Sequence, residues 1–425
     1  MAHFLVLSQV FPPDAVSTAQ VMGEICEDLA AAGHQITVLT TTPHYNPDGS
    51  SDGRHPVLPT WIPFIRKSQL GGVRVWHVMM PRRSRHPAAR LVAWAWYHLA
   101  STALAFALRR ADAILACSPP LTIGVSSWLI GLVHRAPFVY SVQELYPDIA
   151  VRLGVIRRGM LLEALLGLEK FVYRKAARVT TISPGMRRRI LEKGVPESKA
   201  LLIPNFVDLT ALRPLPKDNP FAREHGLVDK FVVSYAGNLG LAQGLETVLA
   251  AADRLRNESG ICFVIMGGGL LKESIRRRVD DDALTNVLLL PYQPFERMSE
   301  VYGASDLNLV PLAAEAGADA LPSKIYRILA CGRPILAIAD SDSDLGAFVR
   351  ESGCGMVVPP GDSFILGEAV RAAARDRSDL ATVTPGRSPD VVAQYSRPGV
   401  TARYRRLLEG LATRNADDEE TPDLA

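Results

Sequence analysis

Three segments in the second half of the chain combine glycine with polar or cationic side chains at a spacing that suits a diphosphate. Gly237-Asn238-Leu239-Gly240 through Gln243-Gly244 follows the apolar run FVVSY, Gly267-Gly268-Gly269 follows CFVIM, and Leu321-Pro322-Ser323-Lys324 opens a helical stretch with a proline, a capping serine and a lysine. Glycines let backbone N–H groups approach phosphate oxygens, helix amino ends favour negative charge, and Lys324 adds a full positive one. A single glycine at a strand-to-helix turn is equally explained by positive φ, so the case rests on the combination. Tyr292, at the end of NVLLLPY, is grouped with these donor-side residues. None of the segments has the G-x-x-x-x-G-K-[ST] spacing of a P-loop, and no G-x-G-x-x-G follows the first strand, which argues against a nicotinamide dehydrogenase.

In the first half, Asp14, Ser17 and Thr18 follow the first apolar run, where a sugar or acceptor phosphate could approach. Glu144 and Asp148 follow VYSV, and a carboxylate there either accepts a hydroxyl proton or caps the next helix. The D-x-D spacing of Asp340 to Asp344 would suit Mg²⁺, but its place between PILAIAD and a helical stretch reads better as capping, and no metal is required.

These residues must be held at the ends of strands. Short β-rich runs alternate with helical stretches throughout, beginning with FLVLSQ, VMGEICEDLAAAG and QITVLTT, which predicts α/β layers with parallel sheets and crossover helices. The alternation breaks at PNFVDLTALRPLPKDNP, a proline-rich linker, and restarts at FVVSYAGNLG. The 425 residues therefore divide into a Rossmann-like domain over 1–207 and a second over 208–390. A late helix over 391–413 and a disordered acidic tail over 414–425 complete the prediction.

With 48% hydrophobic and 21% charged residues the chain has the composition of a folded protein. Cys26, Cys117, Cys262, Cys331 and Cys354 form no C-x-x-C pair and read as reduced cytosolic thiols, and the amino end reads as a first strand rather than a signal peptide. Charge is unevenly spread: no Asp or Glu occurs between Arg54 and Arg110. Arg66, Lys67, Arg74, Arg82, Arg83, Arg85, Arg90, Arg109 and Arg110 interleave there with Trp61, Phe64, Trp76, Trp94, Trp96 and Tyr97. That composition suits an anionic membrane surface, against the alternative of a buried helix beside a solvated basic loop. The apolar stretch over 91–108 approaches membrane-spanning length but contains His98, Ser101 and Thr102, so peripheral association is the expectation. No nucleic-acid reader motif is present.

Taken in order, these segments resemble glycosyltransferase family 4. YAGNLGLAQGLETVLAAA is similar to its phosphate-binding loop and helix, IMGGGLLKESI to its second glycine turn, and LPSKIYRILACGRPILA to its signature helix; FPPDAVSTAQVMGEICEDLAAAGHQITVLTT, VYSVQELYPDIA and TTISPGM match its first half. QELYPD, GNLGLAQG and LPSK look most like the branch that acts on polyprenyl-diphosphate-linked sugars in O-antigen, colanic-acid and exopolysaccharide assembly. The resemblance implies the GT-B architecture, two Rossmann-like domains facing across a deep cleft. It also implies transfer from a UDP- or GDP-sugar, with retention of configuration and no cofactor, to a lipid-linked saccharide acceptor at the inner face of the plasma membrane.

Departures from the family pattern fall at the site itself. Asn238 and Gln243 stand where an Arg and a Lys usually bracket the phosphate loop, Asp319 and Arg327 where the signature helix usually carries two Glu, and Gln143 where many members have a catalytic-cleft His. Glu144, Gln143 and Lys324 are the catalytic candidates. Arg327 either pairs with phosphate or forms a surface salt bridge. The substitutions keep two rival readings open, a catalytically inactive nucleotide- or lipid-binding scaffold and a nucleotide-sugar epimerase of the same architecture.

Overall fold

The computed structural model describes residues 1–14, 16–43, 56–80, 87–152, 154–314, 321–376 and 389–420. The chain forms two compact units. Residues 1–148, 156–205 and 398–425 make the first, and residues 149–155 and 206–397 the second.

The first unit is a nine-stranded sheet in the order β3-β4-β5-β2-β1-β6-β7-β8-β9. Its strands are β1 (His3–Ser8), β2 (Gln35–Thr41), β3 (Leu58–Pro59), β4 (Ile65–Leu70), β5 (Val73–Val78), β6 (Ala113–Cys117), β7 (Phe138–Val142), β8 (Arg178–Thr181) and β9 (Ala200–Leu202). The helices between them are α1 (Ser17–Ala31), α2 (Pro87–Ala107), α3 (Ile123–His134), α5 (Met160–Lys175) and α6 (Pro184–Glu192), while α4 (Asp148–Arg152) has only its first residue in this unit. Strand β1 is buried at every position because helices cover both faces, which is why its sequence is a continuous apolar run.

One edge departs from the expected parallel sheet. Strands β3 and β4 pair antiparallel, and β4 pairs antiparallel with β5, so Arg66, Lys67 and Arg74 stand on the strands at that side of the sheet rather than in a basic loop. In β4 the buried ends Ile65 and Leu70 flank IRKSQL's polar centre, the pattern of a solvated strand whose charges discourage pairing with another chain. Tyr97 is not interfacial: it is fully buried, and its hydroxyl donates to the Ser8 and Leu39 carbonyls at 3.3 and 3.2 Å. Trp76 is half-buried against the core, whereas Trp61, Phe64 and Trp94 are exposed. Arg82, Arg83 and Arg85 lie outside the described residues. No described helix is long and apolar enough to cross a membrane.

The C-terminal helix Arg397–Glu420 runs seven residues into the stretch expected to be a disordered tail; residues 421–425 lie outside the described residues. From Pro398 onward it belongs to the first unit. Val400, Tyr404, Leu408 and Leu411 are buried at helical spacing, and Tyr404 shares a hydrogen bond of 3.2 Å with Ser141 of β7.

The second unit has α7 (Pro220–Glu224), β10 (Phe231–Asn238), α8 (Leu245–Arg254), β11 (Ile261–Gly268), α9 (Lys272–Asp281), β12 (Val287–Leu290), α10 (Met298–Ala304), β13 (Leu307–Pro311), α11 (Lys324–Ala330), β14 (Ile335–Ile338), α12 (Asp344–Ser352), β15 (Gly355–Val358) and α13 (Ser363–Arg375). Its six parallel strands run β12-β11-β10-β13-β14-β15. The chain therefore steps outward from β10 in one direction, then restarts at β13 and steps outward in the other. Doubly wound sheets leave their ligand crevice at that reversal, here between the carboxyl ends of β10 and β13. In the first unit the same reversal falls between β1 and β6.

The docked C-terminal helix gives a direct test. Tyr404→Ala removes a fully buried ring and should cost the first unit about 3 kcal/mol. Denaturant unfolding followed by unit-specific fluorescence should show that unit's transition shifted and the second unit's unmoved.

Candidate functional site

In the second unit the glycine segments prove to be strand ends rather than free loops. Gly237 pairs with Gly267 and Asn238 with Gly268 in register, and the Leu239 N–H continues the ladder to the Gly268 carbonyl at 2.8 Å. Gly237, Gly267 and Gly269 have φ of 156°, 149° and 146°, a region open to glycine. A side chain at Gly267 would collide with the Gly237 carbonyl oxygen, and one at Gly269 would lie 2.6 Å from the Leu239 carbonyl oxygen. Close approach of the two strand ends thus accounts for these two glycines.

Lys324 reaches this junction from the start of α11. A Cβ on Gly237 would sit 3.0 Å from its Nζ and 3.2 Å from the Tyr235 hydroxyl, so the missing side chain makes room for both. The ammonium stands 3.8 Å from the centre of the Tyr235 ring, and the Tyr235 hydroxyl donates to the Asn238 carbonyl at 2.6 Å. The stem of Lys324 keeps some exposure while protein surrounds its charged end, and that desolvation pulls its pKa down to about 7. Tyr235 was missed in the sequence because it reads as one more apolar strand residue. A cation–π contact supports the lysine without neutralising it.

Asn238 is exposed beside this lysine's glycine. Gln243 accepts the Gly240 N–H at 3.1 Å through its Oε1, which fixes the side chain and leaves its Nε2 amide as a donor. Gly244 follows at φ 54° and begins α8. Ser323 occupies the N-cap position of α11 but makes no capping bond: its own φ and ψ of −61° and −18° are already helical, so the hydroxyl is turned away from the N–H groups it was expected to cap. Pro322 precedes it and its carbonyl accepts the Ile325 N–H at 3.2 Å. The Arg327 guanidinium lies 5.5 Å from the centre of the Phe295 ring. Tyr292 is 60% exposed, with its hydroxyl donating to the Gly268 carbonyl at 3.1 Å and its ring against Gly268. Asp319 lies outside the described residues. In DSDSD, Ser343 accepts the Gly346 N–H at 3.0 Å and so caps α12.

In the first unit Gln143 and Glu144 follow β7. Gln143 is buried, its N–H donating to Ser118 Oγ at 3.3 Å and its amide nitrogen to Ser141 Oγ at 3.2 Å. That ties the end of β7 to the end of β6 at the reversal point. Glu144 is exposed on one side, while protein packed around its other sides desolvates the carboxyl and raises its pKa. Asp14 is buried between β1 and α1, with Ser17 exposed and Thr18 half-buried at the start of that helix. Asp148 has a structural partner: Lys193 Nζ bridges it at 2.8 Å to Glu169 at 2.7 Å, and Tyr173 donates to Glu169 at 2.9 Å, locking α4, α5 and α6 together.

Two doubly wound parallel units, the second carrying a lysine and neutral amides at its reversal point, define the GT-B architecture. Profiles of known families agree. The Glycosyl transferase 4-like domain matches residues 18–205 and the Glycosyl transferases group 1 domain residues 230–376. The chain belongs to this glycosyltransferase family and is a glycosyltransferase. It is 26% identical to WcaI of Escherichia coli (strain K12), whose name refers to colanic acid biosynthesis, over 87% of this chain and 91% of that one. It is 27% identical to WbjE of Pseudomonas aeruginosa, named as a glycosyltransferase, over 64% of this chain and 68% of the other. Among solved structures, Anabaena HepE with UDP and glucose superposes with a TM-score of 0.71 at 15% identity, covering 96% of this chain and all of HepE. WaaG, a glycosyltransferase of lipopolysaccharide biosynthesis, gives 0.67 at 13% identity, with 96% and 100% covered.

If a diphosphate binds at this junction, the depressed pKa of Lys324 makes its affinity pH-dependent. Above about pH 7 the free protein holds this lysine largely neutral, and an arriving diphosphate must draw a proton onto it. Titration calorimetry should show nucleoside diphosphate affinity falling as pH rises from about 7 to 9. Lys324→Met should weaken binding about tenfold or more and abolish that slope. For stability the sign is opposite. The unfolded lysine keeps its proton up to 10.5, so this group favours folding progressively more between about pH 7 and 10.5.

Proposed function

We propose that this glycosyltransferase moves a sugar from a nucleoside diphosphate donor, UDP- or GDP-linked, to a polyprenyl-diphosphate-linked saccharide in cell-surface polysaccharide assembly, working at the cytoplasmic face of the membrane. The observation that carries the donor half is the convergence of Lys324, Asn238 and Gln243 on the joined ends of β10 and β11. The relatedness to WcaI, and the UDP and glucose held by HepE, support the same direction.

In this reading the diphosphate lies at the reversal point of the second unit. Lys324 supplies its positive partner, Asn238 and Gln243 donate hydrogen bonds without charge, and Arg327 adds a second cation beside the Phe295 ring. Pro322 and Ser323 set the start of α11, Gly237, Gly244, Gly267, Gly268 and Gly269 hold the backbone geometry, and Tyr292 offers an exposed ring to the donor. Asp319 is kept as a donor-side candidate from the sequence alone.

Transfer breaks the bond between the anomeric carbon and the leaving phosphate oxygen, which departs with the electron pair. The acceptor hydroxyl oxygen forms the new bond on the same face, giving retention. Its proton passes to the departing phosphate or to Glu144, whose raised pKa makes it the better proton acceptor of an ordinary carboxylate pair. Gln143 positions that strand end, and Asp14, Ser17, Thr18 and Asp148 border the acceptor side. Basic and aromatic residues of the acid-free segment, Trp61, Phe64, Arg66 and Lys67 among them, hold the first unit to anionic lipid.

Thermal unfolding with UDP, GDP, ADP, CDP and TDP in turn tests the donor. One diphosphate at 100 times its dissociation constant should add about 2.7 kcal/mol of stability, and stabilisation by none of them would remove the reading. With the donor known, Glu144→Gln should lower kcat by about 100-fold or more while leaving diphosphate binding unchanged, and NMR of the product linkage reports retention or inversion.

A further inference from the structure

The described residues of the first unit expose a second apolar and cationic cluster that the acid-free segment does not contain. It sits at the start of α5, where Met160 is 91% and Leu161 64% exposed, Ala164 is exposed one turn on, and the exposed Arg157 and Arg158 immediately precede the helix. Only Glu163 interrupts the apolar run MLLEALL. Large aliphatic side chains at a helix end normally find core; here the core-facing work of α5 is done at its other end, by Glu169, Val172 and Tyr173. Single exposed apolar residues need no explanation, but a leucine–methionine pair beside paired arginines is an interfacial composition.

Topology places this cluster at the same end of the sheet as the aromatic one. Strand β5 is parallel to β2, and β4 returns antiparallel, with Ile65 opposite Val78 at the carboxyl end. The turn carrying Trp61, 88% exposed, and Phe64 therefore lies at that end, fastened by the Met79 N–H donating to the Phe64 carbonyl at 2.9 Å. Trp96 of α2 packs edge-on against Phe64 at 5.1 Å and donates to the Met79 carbonyl at 3.0 Å. The chain leaves the carboxyl end of β7 and enters α5, which returns to the amino end of β8, so Met160 and Leu161 lie toward the carboxyl end as well. Helix α3 packs on both α2 and α5, so it separates the helix that backs Phe64 from the helix that carries Met160 and Leu161.

We propose that the first unit docks on an anionic lipid bilayer at two points, Trp61 and Phe64 at one and Met160 and Leu161 at the other, with Arg66 and Lys67 beside the first and Arg157 and Arg158 beside the second. This rests on the reading that the protein works at an anionic membrane. Two anchors at one end of a sheet do what one cannot: they fix the tilt of the unit, so the carboxyl end of β7, with Glu144, is held toward the lipid where a lipid-linked acceptor lies. The charge argument selects a bilayer over a second copy of the chain, because the four cations would repel their own copies across a symmetric contact while attracting phosphoglycerol headgroups.

Flotation of the full chain with vesicles of phosphatidylglycerol and phosphatidylcholine, and with phosphatidylcholine alone, tests it against two variants, Met160→Ser/Leu161→Ser and Trp61→Ser/Phe64→Ser. Met160 and Leu161 are exposed, so circular dichroism and thermal unfolding of that variant should match the parent, while Trp61→Ser/Phe64→Ser gives up the Phe64–Trp96 contact and its fold is verified by circular dichroism before flotation. The expected result is binding to the anionic vesicles only, weakened about tenfold or more by each variant. If the parent binds and only the tryptophan–phenylalanine variant loses affinity, the second anchor is wrong while the membrane reading stands. If the parent ignores anionic vesicles, both fall. If Met160→Ser/Leu161→Ser halves the mass seen by light scattering without lipid and leaves flotation unchanged, the cluster is a self-association surface and the proposal is overturned.

Discussion

A parallel strand cannot be joined to its neighbour by a tight turn; the chain must cross back over the sheet, almost always through a helix and with one handedness. Wherever such a sheet reverses its direction of growth, the two adjoining crossovers part to opposite faces and leave the carboxyl ends between them uncovered. That constraint decides where chemistry is available in each unit. In the second, β10 and β13 flank the opening, and Asn238 and the helix carrying Lys324 are the segments that leave those strands. In the first, the opening lies between β1 and β6, and Gln143 ties the next strand, β7, to Ser118 at its edge. The chemistry-bearing residues follow from the winding, and their identities follow from what an uncovered strand end can hold.

What the second unit holds there is unusual in its charge balance. A lysine whose ammonium is crowded by protein and rests on a tyrosine ring has lost water, and among the described residues no carboxylate offsets that loss. Burial of a cation in that state is unfavourable, and the protein lowers the cost by letting the proton leave. A diphosphate bound there, as proposed, would restore the charge and the pairing at once. Neutral Asn238 and Gln243 fit this arrangement better than a second and third cation would, since nearby positive charges would depress the lysine further.

The alternation of strands and helices and the glycine segments that end β10 and β11 are legible in the sequence because apolar runs and glycine breaks carry them directly. The role of the glycines is not, since a glycine that admits phosphate and one that admits a neighbouring strand look identical until the register of β10 on β11 is known. Tyr235 hides for a related reason: within FVVSY it is one of several buried strand residues, and only the path of α11 brings Lys324 over it. Asp148 has a partner that the sequence hides. Its position after β7 suggests a ligand, yet Lys193 arrives from 45 residues further on to pair with it, a partner that spacing along the chain does not disclose.

The acid-free segment illustrates how one composition answers two demands. The outer strands of a sheet need charge to discourage pairing with other chains, and in β4 Arg66 and Lys67 lie where only the two-residue β3 covers them. Either sign would serve that purpose. An exclusive choice of cations, sustained over the whole stretch from Arg54 to Arg110 and combined with exposed Trp61 and Phe64, goes beyond what edge protection requires. Mixed charge would protect an edge and repel nothing; uniform positive charge protects it equally while drawing the unit toward an anionic surface. The burial of Tyr97 and the half-burial of Trp76 remove those two rings from any such surface, and leave Trp61 and Phe64, in the turn before β4, among the segment's exposed aromatic residues.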